Sequence, residues 1–255
     1  MSDNVSIIIQ TYNEEKNIVE CIESAKLLTN TIIVVDTNST DATVERAKSQ
    51  GAQVFEHPYE QYVEPVRDFA ISKAQTEWVF LLDADERMTP ELAAEITQKI
   101  KTTSHTFFKV PRKEYFAKKI WLQHGGWWPS QIIRQIKKKS FVEWPKAIHS
   151  TPKINGTGGI LDNAILHFSK NDYSVVVEKT VLFEDQESNL LFKAHKPVNT
   201  ITFFRKFFGE LYRRLIKKAG YKDGTIGVIE SIYQAFSKTI TYLYLYEKKQ
   251  TSTPS

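Results

Sequence analysis

Four short apolar runs alternate with helical segments over the first hundred residues, and this alternation restricts the possible folds more than any other feature of the chain. The runs are apolar throughout, which is typical of strands buried on both faces of a parallel sheet. We predict strands at residues 5–9, 31–36, 52–57 and 77–85 and helices at 14–28, 42–50, 66–74 and 91–101. The sequence therefore predicts a Rossmann-like α/β fold whose mostly parallel central sheet is covered by helices on both faces.

Beyond His105 the strand signals are separated by turn-rich segments, and the last third of the chain is helical. The segments TFFKVPRKEYF, QIIRQI and AILHF have the composition of strands, which predicts a small antiparallel extension of the sheet. The helical part is interrupted near AGYKDGTIG. We predict an α/β domain at 1–170 with halves at 1–104 and 105–170, a helical region at 171–250 and a disordered tail at 251–255.

Polar side chains follow three of the predicted strands at the point where each strand ends. Thr11 and Asn13 follow the first strand, Asp36 ends the second, and Asp83 and Asp85 follow the fourth. In sheets of this kind the ligand crevice lies beyond the carboxyl ends of the strands. The sequence therefore predicts a binding site at this edge.

The pair Asp83 and Asp85 can share one Mn²⁺ or Mg²⁺ ion, because these hard cations prefer carboxylate oxygens, phosphate oxygens and water. Such an ion would neutralise a diphosphate leaving group. A solvated acidic turn is the alternative interpretation. Asp36 can accept a hydrogen bond from the imide N–H of uracil or from a ribose hydroxyl, and a local turn contact is its alternative.

Several classes of protein are excluded by what the chain lacks. It contains neither G-x-G-x-x-G nor G-x-x-x-x-G-K-[ST], which argues against a dinucleotide-binding Rossmann domain and a P-loop. The single cysteine, Cys21, excludes a disulfide framework and agrees with a reducing cytosol. We expect neither a secretory signal nor a spanning helix, because no apolar run reaches about 18 residues.

Three blocks resemble the inverting glycosyltransferases of family 2: TYNEEKNI (Thr11–Ile18), VVDTNSTDAT (Val34–Thr43) and RDFAISKAQTEWVFLLDADE (Arg67–Glu86). Asp68 stands where this family usually has Asn. The later segment PRKEYFAKKIWLQHGGWWPSQIIRQIKKKSF and the AIHS and ILHFS blocks are similar to the lipooligosaccharide core β-1,4-glucosyltransferases. Members of that branch often carry acidic residues near Pro129-Ser130 and Ile148-His149-Ser150, where this chain has none.

The resemblance implies a GT-A fold and an inverting, single-displacement transfer of a sugar, with glucose favoured, from a UDP-sugar to a lipid-linked saccharide. Residues 1–104 would form the nucleotide-sugar-binding half and 105–170 the acceptor-side half. The residues implied to bind the nucleotide sugar are Thr11, Asn13, Glu15, Asp36, Arg67, Asp83, Ala84 and Arg134. A Mn²⁺ or Mg²⁺ ion would be held by Asp83 and Asp85, and His149 or His167 would complete its ligands.

Inverting transfer needs a general base that reaches the acceptor hydroxyl. Glu143, Glu114 and Glu86 are the candidates, and we favour Glu143. Trp127 and Trp128 follow two glycines and can stack on the acceptor sugar, with hydrophobic cover for the sheet as the alternative.

The C-terminal quarter carries the positive charge of the chain. From Lys196 to Gln250 there are eleven Lys and Arg against four Asp and Glu, while the whole chain has a net charge of +4. Within 200–220, an apolar and aromatic stripe is flanked by six cations, which is typical of a helix lying on an anionic membrane. The stripe comprises Phe203, Phe204, Phe207, Phe208, Leu211, Tyr212, Leu215 and Ile216.

We therefore expect a peripheral protein on the inner face of the cytoplasmic membrane. A helix packed on the catalytic domain with an ordinary solvated face is the alternative. Two other functions were weighed: a non-catalytic protein that binds membrane or nucleic acid through its basic region, and a nucleotidyltransferase that makes nucleotide sugars. The first leaves the carboxylates at the strand ends unexplained and shows no nucleic-acid motif, so we expect no nucleic-acid partner. The second needs a glycine-rich basic loop after the first strand, which TYNEEKN does not provide.

Overall fold

The computed structural model describes residues 4–148, 150–170 and 173–251. The chain divides into two compact units, one made of Met1–Lys113 and Ser130–Phe168 and the other of Glu114–Pro129 and Ser169–Ser255. The strands are β1 Val5–Thr11, β2 Ile32–Asp36, β3 Gln53–Glu56, β4 Trp78–Asp83, β5 Glu86–Arg87, β6 Phe107–Phe116, β7 Ile120–Leu122, β8 Ser130–Lys137, β9 Phe141–Glu143, β10 Lys153–Ile154, β11 Gly158–Ile160 and β12 Ile165–Lys170. The α-helices are α1 Ile18–Ala25, α2 Thr43–Ser49, α3 Arg67–Lys73, α4 Pro90–Thr102, α5 Tyr173–Lys193, α6 Thr200–Leu211 and α7 Gly224–Thr251.

The main sheet has the strand order β3-β2-β1-β4-β8-β6-β12-β5, with β7 and β11 paired to β6. Strands β3, β2, β1 and β4 are parallel, whereas β8 is antiparallel to both β4 and β6. The predicted α/β fold with an antiparallel extension is therefore confirmed. The register pairs Thr11 with Asp36 and Gln10 with Asp83, so the ends of three adjacent strands lie side by side.

The core explains why the strands of the parallel half are apolar throughout. Ile7 and Ile9 of β1 pack in one apolar cluster, and Ile8 packs in a second cluster. Because successive side chains of a strand point to opposite faces, both faces of this half-sheet are covered. All three isoleucines are fully buried.

The first helix is shorter than predicted, since α1 begins at Ile18 and not at residue 14. Asn13, just before the predicted start, has a left-handed backbone (φ +53°), and residues 14–17 form a turn in which the Asn17 and Ile18 N–H groups both donate to the Glu14 carbonyl at 2.9 Å. The backbone N–H of Glu14 donates instead to Thr43 Oγ1 at 2.8 Å. The segment between β1 and α1 is therefore a loop tied to the start of α2.

The second unit contains α5, α6 and α7, and a π-helical turn at Tyr212–Lys217 continues α6. Residues 114–129, which we had predicted to belong to the α/β domain, group with these helices. Asp223 accepts hydrogen bonds from the backbone N–H of Gln123 and of His124, at 2.9 and 2.8 Å. Arg214 donates to the Gly125 carbonyl at 3.1 Å. Within the described ranges no helix combines the length and the apolar character needed to cross a bilayer.

Candidate functional site

Asp36 is held by hydrogen bonds at the carboxyl edge of the parallel half-sheet. Its carboxylate accepts from Thr11 Oγ1 at 2.9 Å and from Ser39 Oγ at 2.6 Å, both at Oδ1. The Ser39 backbone N–H donates to Oδ2 at 2.8 Å. Asp36 is only 2% exposed, and each carboxylate oxygen has two lone pairs. The orientation of this carboxylate is therefore set before any ligand arrives, and one acceptor position remains on Oδ2.

Asn13 and Glu15 fasten the loop after β1 to the loop after β2. Asn13 Oδ1 accepts from the Thr40 backbone N–H at 2.8 Å. Glu15 Oε2 accepts from the Ala42 backbone N–H at 3.3 Å, and the Glu15 N–H donates to Asp41 at 3.2 Å. Both predicted nucleotide-binding residues thus have a role in shaping the rim of the site.

An exposed pair of tyrosines lies at the same edge and was missed by sequence reasoning. The rings of Tyr12 and Tyr59 have centroids 4.6 Å apart, and the two residues are 43% and 49% exposed. Tyr12 stands between Thr11 and Asn13, so its place in the TYNEE block was the available signal. Tyr59 follows β3, and nothing in the sequence pairs it with Tyr12.

A cluster of charged side chains lies where β4 ends. The Asp83 carboxylate contacts Arg67 Nη2 at 3.0 Å and Arg134 Nη1 at 3.2 Å, and Arg134 Nη2 also donates to it. Arg134 Nη2 donates as well to Glu86 Oε1 at 2.7 Å. Glu86 is fully buried, and both arginines are only 4% exposed. Two guanidiniums therefore neutralise two carboxylates in this cluster, with Arg112 a further cation 3.8 Å from Glu86.

Burial alone would raise the pKa of the Asp83 carboxyl, but the Arg134 and Arg67 guanidiniums outweigh burial and hold that pKa well below its usual range. Glu86 behaves differently. Burial raises its pKa, the charge of Asp83 adds to the rise, and Arg134 opposes it. Asp83 is thus ionised at neutral pH.

Asp83→Asn is expected to lower the free energy of unfolding above about pH 4, the usual pKa of an Asp in an unfolded chain. A carboxyl whose pKa is lowered by folding stabilises the fold above that pH and loses the effect as the pH falls. The gap between wild type and variant should therefore narrow steadily as the pH falls below about 4, the usual pKa of an Asp in an unfolded chain. Urea unfolding at a series of pH values measures it, with Asp162→Asn as a control that follows the wild type. Parallel pH curves for wild type and Asp83→Asn would contradict the assignment.

Asp85 and His167 form the pair of side chains best placed for a metal ion. His167 Nε2 lies 3.4 Å from Asp85 Oδ2, and the two side chains are 12% and 20% exposed. A backbone hydrogen bond holds the two segments together here, since the Phe168 N–H donates to the Asp85 carbonyl at 2.9 Å. Among the residues that the structure describes, no group of three or more His, Cys, Asp or Glu is arranged around one position. Two protein ligands fit Mg²⁺ or Mn²⁺, which usually keep several waters and phosphate oxygens.

The other predicted metal and nucleotide contacts are placed as follows. Asp83 lies at the end of β4 as expected, but its carboxylate is engaged by arginine. Ala84 is buried, and its carbonyl accepts from Arg87 Nη1 at 2.9 Å. His149 lies outside the described residues.

The three candidate bases differ in access. Glu86 is fully buried within the arginine cluster. Glu114 belongs to the second unit, where it is 4% exposed and accepts from Ser169 Oγ at 2.5 Å. Glu143, on β9, has a side chain that is 48% exposed and pairs with Lys153 Nζ at 2.6 Å. Glu143 is therefore the most accessible of the three.

Trp127 and Trp128 lie in the second unit, and both rings are engaged there. The Arg214 guanidinium stacks over Trp127 at 5.0 Å. Trp121 contacts Trp128 edge to face at 5.4 Å. Both tryptophans are partly exposed, so only part of each ring is accessible to a sugar.

Asp68 has a structural role at the position where the resembling family usually has Asn. Its Oδ1 accepts from the Trp144 backbone N–H at 2.7 Å. The Trp144 ring in turn covers the Arg67 guanidinium at 5.1 Å. Asp68 therefore helps to position Arg67 against Asp83, and an Asn amide oxygen could accept the same hydrogen bond.

Comparison with known proteins gives matches along most of the chain. A family model described as glycosyl transferase family 2 matches residues 6–156. An uncharacterised glycosyltransferase of Rickettsia typhi is 27% identical over 261 residues, covering 95% of this chain and 87% of the relative. A second uncharacterised glycosyltransferase, from Rickettsia prowazekii, is 28% identical and covers 92% of this chain and 84% of the relative.

Two solved structures share the fold. Glucosyl-3-phosphoglycerate synthase from Mycobacterium tuberculosis superposes with a TM-score of 0.50 at 15% identity, covering 76% of this chain and 81% of that protein. TarS of S. aureus superposes with a TM-score of 0.50 at 17% identity, covering 96% of this chain and 55% of that protein. At such identities the similarity concerns the fold alone, which is GT-A-like with added C-terminal helices.

Proposed function

The chain belongs to glycosyltransferase family 2, and we propose that it moves a sugar from a UDP-sugar to a saccharide acceptor by a metal-assisted, inverting displacement. The observation that carries this proposal is the convergence of three strand ends. Thr11, Asp36 and Asp83 end or follow β1, β2 and β4, which are neighbours in the sheet. Ligands of open α/β sheets bind at this edge.

In the proposed donor complex, Asp36 would accept from the uracil imide or a ribose hydroxyl through its remaining acceptor position. Tyr12 and Tyr59 would provide an aromatic surface for the base, since both residues are nearly half exposed and Tyr12 directly follows Thr11, whose hydroxyl donates to this carboxylate. Arg67 and Arg134 would face the diphosphate from the charged cluster. These roles are supported by placement and charge.

Asp85 and His167 would hold a Mn²⁺ or Mg²⁺ ion, which supplies charge neutralisation for a departing diphosphate. Asp83 would not contact the ion directly, because its carboxylate is bound by Arg67 and Arg134, and its role would be to hold these two arginines in place. Glu143 would remove the proton from the acceptor hydroxyl, and its exposure supports this assignment. Trp127 and Trp128 would contact the acceptor.

We propose glucose as the sugar and a lipid-linked saccharide, such as a lipooligosaccharide core, as the acceptor. We also propose the inner face of the cytoplasmic membrane as a partner. Half of the predicted stripe in 200–220 supports contact with a membrane, because its side chains are exposed: Phe204, Phe208, Tyr212 and Ile216. The other half is partly buried, since Phe203, Phe207, Leu211 and Leu215 turn inward. The apolar surface that this segment can offer to a membrane is therefore about half of the stripe that the sequence predicts.

Fewer cations of this segment are available to anionic lipid than the six that the sequence contains. Glu210 binds both Arg213 Nε, at 2.8 Å, and Arg214 Nε, at 2.7 Å. Lys206 lies over the Tyr242 ring at 5.1 Å. Arg205, Lys217 and Lys218 are exposed and would contribute about 1 kcal/mol each near an anionic surface.

Titration calorimetry with UDP, GDP, CDP and UDP-glucose tests the donor site, first with Mn²⁺ and then with excess chelator. We expect UDP to bind in preference to GDP and CDP, and the binding to weaken when the metal is removed. Asp36→Asn should weaken UDP binding by about tenfold, because the amide has one acceptor oxygen where the carboxylate has two. Asp162→Asn, an exposed acid of the same unit, is the matched control. Absence of nucleotide binding under every condition would overturn the proposal.

A further inference from the structure

The interface between α5 and α7 is polar where a water-soluble helix pair would be apolar. The hydroxyl of Tyr173 donates to Glu230 Oε1 at 2.5 Å, and the hydroxyls of Thr180 and Tyr233 are 2.7 Å apart. Further along, Ser237 and Thr241 both donate to Glu184. On α5 to α7, seven buried polar residues accompany four buried apolar ones in the described part of the chain. The interior of the helical unit is thus held together largely by hydrogen bonds between side chains, in which the buried Glu230 Oε2 oxygen takes no part.

The outward face of α7 has the opposite character. We define this face by five large residues that are 46–56% exposed: Ile229, Ile232, Phe236, Leu243 and Tyr246. Their spacing of three, four, seven and three residues places them along one side of the helix. None of the five is charged, and the stripe runs for most of the length of α7.

The two units of the chain differ in where they place apolar side chains. Of the 22 large apolar residues that are exposed in the described ranges, 16 belong to the second unit. Of the 42 buried apolar residues in the same ranges, 37 belong to the first unit. Exposed apolar patches of this kind mark sites of contact with a partner or a membrane. The helical unit is therefore adapted to an apolar neighbour.

The size of the outward face of α7 argues against a second copy of the chain as that neighbour. The eighteen residues from Ile229 to Tyr246 span about 26 Å, with a rise of about 1.5 Å from each residue to the next, and a helix is about 10 Å wide. The face is thus about 260 Å², well below the roughly 800 Å² per partner that a stable interface buries. A bilayer sets no such lower limit, because the cations of the same unit add to the attraction.

We propose that the helical unit lies in the interface of an anionic bilayer, with the outward face of α7 against the acyl chains and the cations of α6 and of the π-helical turn after it at the headgroups. Arg205, Lys217 and Lys218 complement anionic lipid, while α7 supplies the apolar contact. The polar side chains of α7 contact α5, whereas five of its large apolar side chains lie on the outward face. The inference rests on the proposed membrane partner and adds α7 to it.

Vesicle flotation of the full chain separates the two contributions. The α7 pair of substitutions is Ile232→Gln with Phe236→Gln, and the α6 pair is Arg205→Gln with Lys217→Gln. Thr225→Asn with Gln250→Asn changes two exposed polar positions of α7 and serves as the matched control. We expect the α7 pair to lower partitioning into phosphatidylcholine vesicles by at least about tenfold, from the loss of buried apolar area. The α6 pair should lower only the additional, salt-sensitive binding to vesicles that contain phosphatidylglycerol.

Flotation of the α7 pair at the wild-type level would overturn the proposal. It would also be overturned if sedimentation without lipid showed a dimer that the α7 pair dissociates, because a second copy would then cover the face. A Phe236→Trp variant provides a second readout, with quenching by brominated acyl chains expected beyond that of wild type. Calorimetry with UDP on the same samples reports whether the first unit is folded. Failure of UDP binding in every sample would count against the donor proposal and leave the flotation result readable.

Discussion

Arg134→Met is expected to lower the free energy of unfolding by about 3–5 kcal/mol, the usual cost of leaving a buried charge without its partner. Arg134 bonds both Asp83 and Glu86, and Glu86 is fully buried. Removing the guanidinium leaves Arg67 as the cation in hydrogen-bond contact with Asp83, and Glu86 with Arg112 at 3.8 Å. Urea unfolding followed by tryptophan fluorescence measures the change.

Arg112→Met is the matched control, because Arg112 is 25% exposed and lies farther from Glu86 than Arg134 does. Its effect should be clearly smaller than that of Arg134→Met, because Arg112 lies 3.8 Å from Glu86 whereas Arg134 donates hydrogen bonds to both carboxylates. Adding Glu86→Gln to Arg134→Met should recover part of the loss, since it removes the buried carboxylate that has lost its close cation. A loss for Arg134→Met no larger than that of the control would show that Glu86 is neutral in the folded protein and that Arg67 suffices for Asp83.

Asp85→Ala is expected to reduce kcat/KM for release of UDP from a UDP-sugar by about 100-fold or more, as when a charge-stabilising group is removed from an active site. Water serves as the default acceptor in this assay, so the natural acceptor need not be known. His167→Gln should cost about 10–100-fold, because it removes one of the two proposed metal ligands. Asp162→Ala, which removes an exposed acid elsewhere in the first unit, should leave turnover unchanged.

Metal dependence makes this test specific. In wild type, turnover should rise with added Mn²⁺ and saturate, whereas Asp85→Ala should respond weakly at any concentration. If Asp85→Ala and wild type require the same Mn²⁺ concentration, the ion is held by other residues. A variant that unfolds would be recognised by its urea transition, measured beside that of wild type.

The polar residues at the strand ends were predictable because each one follows an apolar run of the right length. Parallel neighbours then bring Thr11, Asp36 and Asp83 to one edge as a matter of register. What those residues contact there was not predictable. Arg67 and Arg134 lie 16 and 51 positions away from Asp83 in the chain, and both bind its carboxylate. The proposed metal ligands are accordingly Asp85 and His167, because the Asp83 carboxylate is bound by the two arginines.

The helical region shows the same limit. The basic amphipathic pattern of 200–220 follows from composition and periodicity, yet it cannot distinguish side chains that face α7 from those that face solvent. The pairing of Glu210 with Arg213 and Arg214 is different, because spacings of three and four residues bring these side chains together on any helix and the sequence alone could have indicated it. The polar interior between α5 and α7 joins residues more than fifty positions apart.

By itself the sequence determined the α/β fold, the order of its elements, the family blocks and the edge of the sheet that carries the candidate site. These depend on local periodicity and on chain direction, which can be read from residues that are close together in the sequence. Only the tertiary structure decided which charges neutralise Asp83 and Glu86, which tyrosines meet at the rim and which helix faces stay exposed. These depend on contacts between distant segments, whose energies are set by burial and by distances that no local pattern records.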